Sequence, residues 1–164
     1  MRTYTITALG LALIAAPAMA ATKGSATPEM IAAAPEGQGQ IIFWRSGTMV
    51  GKAMGCGVNI GAERISALGA GRYFILNTAP GAYEFNAKSE AKDVLNLEVD
   101  AGDTTYVKCT IKMGVMAGRP NLSPSNAEEF NEKRSGLKYV DSDDIGPKVF
   151  ADPGLIAADA AVAE

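Results

Sequence analysis

Between Gln40 and Met113, several segments place bulky apolar residues at every second position. Met54, Cys56, Val58 and Ile60 alternate with Ala53, Gly55, Gly57 and Asn59, and Tyr83, Phe85 and Ala87 with Glu84, Asn86 and Lys88. Leu95, Leu97 and Val99 flank Asn96 and Glu98, and Val107, Cys109, Ile111 and Met113 alternate with Tyr106, Lys108, Thr110 and Lys112. A period of two places one set of side chains on a buried sheet face and the other in water. Turn signals recur about every 8–12 residues, the spacing of a sandwich or barrel. Gly61-Ala62, Ala79-Pro80-Gly81-Ala82 and Asp100-Ala101-Gly102-Asp103 are the clearest, with proline presetting φ and glycine allowing positive φ. The unbroken run Ile41-Ile42-Phe43-Trp44 suits a central strand. No helical period separates these segments, which argues against βαβ units. The fold expected is all-β: a two-sheet, Greek-key-like sandwich of about seven strands with one short C-terminal helix.

The flanks read differently. Arg2, the apolar run Ile6 to Ala16 and Pro17-Ala18-Met19-Ala20 form the pattern of a signal peptide, residues 1–20, with cleavage after Ala20. The run is too short for a membrane-spanning helix, which needs about 20 residues. An exported, periplasmic chain beginning at Ala21 is therefore expected. Residues 21–37 are a flexible lead-in on which Met30 and Ile31 are able to dock, and residues 38–140 are the sandwich. Past Met113, residues 114–120 read as a loop. Ser125-Asn126-Ala127-Glu128 matches a capping box, so a helix is expected near 125–134, followed by a short strand at Leu137–Val140. Residues 141–164 read as a flexible acidic, Ala-rich tail.

Composition closes several chemistries. The chain has no histidine, which excludes Ser-His and Cys-His nucleophiles and histidine-ligated metals within one chain. Two cysteines are too few for a tetrahedral thiolate site or an iron–sulfur cluster. Gly55 to Gly61 lacks the spacing and the following helix of a phosphate loop. Met113 and Met116 offer thioethers without a third soft ligand beside them. No catalytic residue, cofactor or metal site is expected. The net charge of −3, one unit more negative once Arg2 leaves with the leader, gives no reason to expect nucleic acid as a partner. Cys56 and Cys109 both fall on the apolar side of their strands, so an oxidising compartment would join them. In the chain-entropy model, a loop of that length contributes about 4 kcal/mol. Trp44 and Phe74 each lie on the opposite strand face from an aromatic neighbour. With Arg45 they form the candidate interaction surface, Arg45 being read as a snorkelling edge residue.

Three runs carry a resemblance. Gly39 to Arg45, then Gly71-Arg72-Tyr73-Phe74 leading to Ala79-Pro80-Gly81-Ala82-Tyr83, then Ala101 to Val107 resemble, in order and spacing, an exported bacterial family catalogued as domain of unknown function 2846. The resemblance covers about residues 38–135. It implies a small β-sandwich akin to transthyretin-type or carboxypeptidase-regulatory-like domains, which are accessory or binding modules. Many members resemble lipoproteins with cysteine just after the cleavage point. Ala21 stands there in this chain, so no lipid anchor is expected. The function expected is a non-catalytic binding module for an envelope protein or polysaccharide, with an open sheet edge as the means. The alternatives are a glycan hydrolase using acids such as Glu63, Asp93 and Glu98, and a purely structural envelope protein.

Overall fold

The computed structural model describes residues 31–49, 51–88, 92–113 and 118–146. Residues 1–30, which hold the expected signal peptide and most of the expected lead-in, and the chain beyond residue 146 lie outside them. Among the described residues, nine strands form two sheets. They are β1 (Gly39–Arg45), β2 (Cys56–Ile60), β3 (Glu63–Leu68), β4 (Arg72–Thr78), β5 (Gly81–Lys88), β6 (Lys92–Val99), β7 (Thr104–Lys112), β8 (Arg119–Ser125) and β9 (Lys138–Tyr139). The first sheet has the order β8-β7-β1-β4-β9 and the second β3-β2-β5-β6. The seven strands expected before Met113 are all present and the sandwich is as expected. β8 is an addition, in a stretch read as loop at its start.

Both faces of β1 are covered, which its continuous apolar run requires. It pairs antiparallel with β4, Phe43 facing Phe74, and parallel with β7, Phe43 facing Val107. Inward, Ile41 and Phe43 meet Phe74, Leu76, Val58, Phe85 and Leu95 in the inter-sheet core. The Phe43 ring stacks on Phe74 at 4.8 Å and meets Phe85 edge-on at 5.0 Å. The disulfide Cys56–Cys109 joins β2 of one sheet to β7 of the other, with 6.6 Å between Cα atoms.

Outward, Ile42, Trp44, Tyr73 and Ile75 are buried beneath helix α1 (Ala127–Lys133) through Phe130, with Ile31 and Leu137 packed alongside. Ile31 docks as expected, and the Gln40 side chain donates to the Ala32 carbonyl at 3.0 Å. The helix starts one residue later than the capping box suggests. Asn126 is the N-cap, its side chain accepting from Glu129 N–H at 2.8 Å, while the Ser125 hydroxyl donates to the Glu129 carboxylate. The domain also outruns its expected end at 140. Ile145 bridges Ser66, Gly146 N–H donates to the Ile65 carbonyl at 2.8 Å, and the Ser66 hydroxyl donates to the Asp144 carbonyl. A Cβ on Gly146 would lie 2.6 Å from the Arg64 carbonyl oxygen, so this contact needs glycine.

Candidate functional site

The proposed surface residues are not on the surface. Trp44 and Phe74 are completely buried and Arg45 is 2% exposed. Phe74 belongs to the inter-sheet core. Trp44 faces outward, but α1 covers it, Phe130 meeting its ring edge-on at 6.0 Å. Lys108 lies over the Trp44 ring at 5.2 Å and pairs with Glu129. Hydrogen bonds from Lys108 and Ser125 hold the Glu129 carboxyl below its ordinary range. The indole N–H of Trp44 is buried without a partner among the described residues. Neighbouring Tyr106 is raised by burial, opposed by the charge of Arg134. Arg45 neither snorkels nor stacks on a ring. Its guanidinium donates to the carbonyls of Met54, Gly51 (2.6 Å) and Leu68 (3.2 Å), and burial lowers its pKa. It pins Gly51 and Met54 to the end of the sandwich.

The three acids are not brought together. Glu63 begins β3 on one edge of the second sheet, whereas Asp93 and Glu98 lie on β6 at the other. Asp93 and Glu98 are five positions apart, on opposite faces and roughly 16 Å apart along an extended strand. A glycosidase pair stands about 5–10 Å apart. Glu98 faces outward and, with Ala82, Glu84 and Asn96, lines a shallow depression of about 440 Å³ on the β5–β6 hairpin. Among the described residues, no cluster of three or more His, Cys, Asp or Glu side chains is placed to hold a metal.

Asp93 turns inward and closes a sheet edge. Its carboxylate accepts from Leu122 N–H at 2.6 Å and from the Asn121 side chain at 2.9 Å, both on β8. The Leu122 N–H therefore points away from β7. In an antiparallel ladder, alternate residues present their N–H groups to the same side. Residues 120 and 124 share that side, and both are proline, so neither has an N–H to present. The outer edge of β8 has no free donor at its three central positions. Its signal in the sequence is Asp93 itself, an acid at the same parity as Leu95, Leu97 and Val99.

Two other edges are closed as well. β9 is two residues long, and the outward carbonyl of Tyr139 accepts from Arg72 at 2.9 Å. β3 is covered at its middle by residues 144–146. β6 differs. It is eight residues long and, among the described residues, its backbone pairs with β5 alone. Val94, Asn96 and Glu98 are exposed along it.

A family model described as "Protein of unknown function (DUF2846)" matches residues 35–120, more than half of the chain. The chain belongs to the DUF2846 family. No curated protein and no solved structure matches it. The DUF2846 match takes in β1 to β7, the disulfide and Asp93, and it ends as β8 begins. The rest of β8, α1, β9 and the strap over β3 come from residues 121–146, beyond the match.

Proposed function

We propose that this DUF2846 protein is an exported, non-catalytic accessory module of the periplasm that engages an envelope protein by accepting a strand on β6. The observation that carries the reading is the contrast among the four sheet edges. Proline and Asp93 block β8, residues 144–146 cover β3, β9 is too short, and β6 is eight residues long with, among the described residues, β5 as its one backbone partner. Strand addition draws affinity from main-chain hydrogen bonds and selectivity from alternate side-chain positions. The depression between Ala82, Glu84, Asn96 and Glu98 lies on the outward face of the same hairpin and offers such a position. Export is supported by the leader pattern of residues 1–20 and by a disulfide of the kind that persists in oxidising compartments.

A photo-crosslinking residue at Asn96 on β6, compared with one at Asn121 on β8, tests this in intact cells. The reading expects one stoichiometric adduct from the β6 position and none from β8. Equal capture from both positions, or none from β6, overturns it.

A further inference from the structure

The pairing of β5 fixes which backbone groups β6 turns away from it. The Asn86 carbonyl accepts from the Asn59 side chain of β2 at 3.0 Å, so Asn86 directs its backbone towards β2. In an antiparallel ladder, the N–H and C=O of one residue point to the same side and successive residues alternate. Tyr83, Phe85 and Ala87 therefore bond their partners Leu97, Leu95 and Asp93 on β6. Val94, Asn96 and Glu98 direct their backbone groups to the other side, where no backbone group among the described residues meets them. Sheet edges are ordinarily guarded by charge, proline or a covering loop. Val94 to Leu97 contain neither charge nor proline, and Val94 is 43% exposed. The side chains of the same three residues share the outward face. Glu98 stands opposite Ala82 and Asn96 opposite Glu84, and these four line one depression with Tyr83 and Leu97. Its lining holds two carboxylates and no basic side chain. The turn after β6 adds the exposed Asp100 and Asp103. At the other end of the hairpin Lys88 is paired with Lys92, so the residue charge changes sign along β6. On the inward side, Leu97 is only partly buried against the core.

We propose that the strand β6 accepts is a segment of an envelope protein running antiparallel to it, with arginine or lysine opposite Glu98 and an apolar residue opposite Val94. This rests on the reading of β6 as a strand acceptor and names the chemistry of what it accepts. The direction follows from the sheet, in which every pairing is antiparallel, the arrangement that is also the more stable per residue. Residues opposite Val94, Asn96 and Glu98 would exchange main-chain hydrogen bonds with them and lie on the same outward face. A long basic side chain opposite Glu98 reaches the depression, its aliphatic stem over Ala82 and its charge beside the carboxylates. An acidic residue at that position meets two carboxylates and the two aspartates of the turn, which disfavours it. The residues between point inward, and apolar ones extend the core over Leu97. The accepted segment thus reads, from its amino end, basic, apolar, polar, apolar, apolar.

The test titrates an isotope-labelled chain of residues 21–164 with a peptide blocked at both ends. Its outward positions read arginine, threonine and isoleucine from the amino end, with valine between them, and a second peptide carries glutamate in place of arginine. The arginine peptide is expected to shift the Val94, Asn96 and Glu98 amides and slow their exchange, and to bind less tightly as salt rises. The glutamate peptide is expected to bind roughly five-fold or more weakly. Glu98→Gln should narrow that preference and Glu98→Lys reverse it, both being changes at an exposed side chain. A glutamate peptide within about two-fold of the arginine peptide, or no shift at the three amides with either, overturns the proposal. Photo-crosslinking at Asn96 in cells separates it from the reading beneath it. An adduct that persists undiminished in Glu98→Lys leaves β6 as a strand acceptor and overturns the basic partner, whereas no adduct in the parent chain overturns both.

Discussion

Arg45 takes a guanidinium into the sandwich and spends its donors on backbone. Parity along β1 already puts it with Ile41 and Phe43 on the inward side, but a terminal arginine reads as an edge residue because a charge is expected to reach water. What the pattern does not carry is that Gly51 and Met54, beyond the strand, turn back and offer their carbonyls as solvent would. Trp44 and Phe74 failed as surface residues for a related reason. Alternation assigns a face, not its cover. Phe74 faces the second sheet, and Trp44 faces a helix that begins 83 positions later in the chain. The two cysteines needed no such cover to be read, since both sit on the inward parity and the sheets bring them together. Replacing Arg45 with methionine keeps its length but leaves buried carbonyls unpaired. A loss of about 2–4 kcal/mol is expected from the lost charged hydrogen bonds and the unsatisfied acceptors. Denaturant unfolding reads the loss, and faster amide exchange at Lys52 and Met54 locates it in the loop. Exchange unchanged there would show that the arginine does not hold the loop.

Strands with clean alternation were legible from the residues, and β8 was not. Arg119-Pro120-Asn121-Leu122-Ser123-Pro124-Ser125 has two prolines and little bulk, the signature of a loop. The prolines instead sit two apart from Leu122 in each direction, all on the side where no strand pairs. The same two-residue period that marks a strand by its side chains therefore also marks which backbone groups β8 leaves open. The helix start was ambiguous for a local reason. Ser125 precedes Glu128 by three residues and Asn126 precedes Glu129 by three, so either serine or asparagine fits as cap. The structure selects Asn126 and uses Glu129 to hold Lys108 over Trp44. Asp93 belongs at this scale because it joins an edge strand of one sheet to an edge strand of the other. Asp93→Ala leaves the Leu122 N–H on an open edge and is expected to destabilise by about 1–3 kcal/mol. It should also make the protein associate with itself as concentration rises, because β8 regains a donor at the centre of its edge. Analytical ultracentrifugation of the variant checks the second effect. A strictly monomeric variant would mean that the two prolines alone suffice to keep that edge unpaired.

Across the molecule, the family match and the folded unit have different ends. Residues 35–120 hold most of the inter-sheet core and the disulfide that stitches it, yet the outer face of the five-stranded sheet loses much of its cover without residues 121–146. Ile42, Trp44, Tyr73 and Ile75 are at most 7% exposed in the whole structure, and α1 with Leu137 provides much of their cover. Burying a large apolar side chain contributes about 1.5–3 kcal/mol. Four such residues together match the net stability of an ordinary domain, about 5–15 kcal/mol. Truncation after Pro120 also removes Leu122, which lies in the inter-sheet core, and the residues that cover β3. A chain of residues 21–120 is therefore expected to keep strand content while losing fixed packing, with dye-binding hydrophobic surface and no near-ultraviolet signal. A chain of residues 21–146 is expected to unfold cooperatively like a chain of residues 21–164. The intact disulfide sharpens the comparison, since both chains retain Cys56 and Cys109 and about 4 kcal/mol of loop-closure stabilisation in the chain-entropy model. Cooperative unfolding of 21–120 with the midpoint of the longer chain would show that the inter-sheet core stands without its outer cover. The stitched sandwich, rather than the sandwich with its helix and strap, would then be the unit that folds.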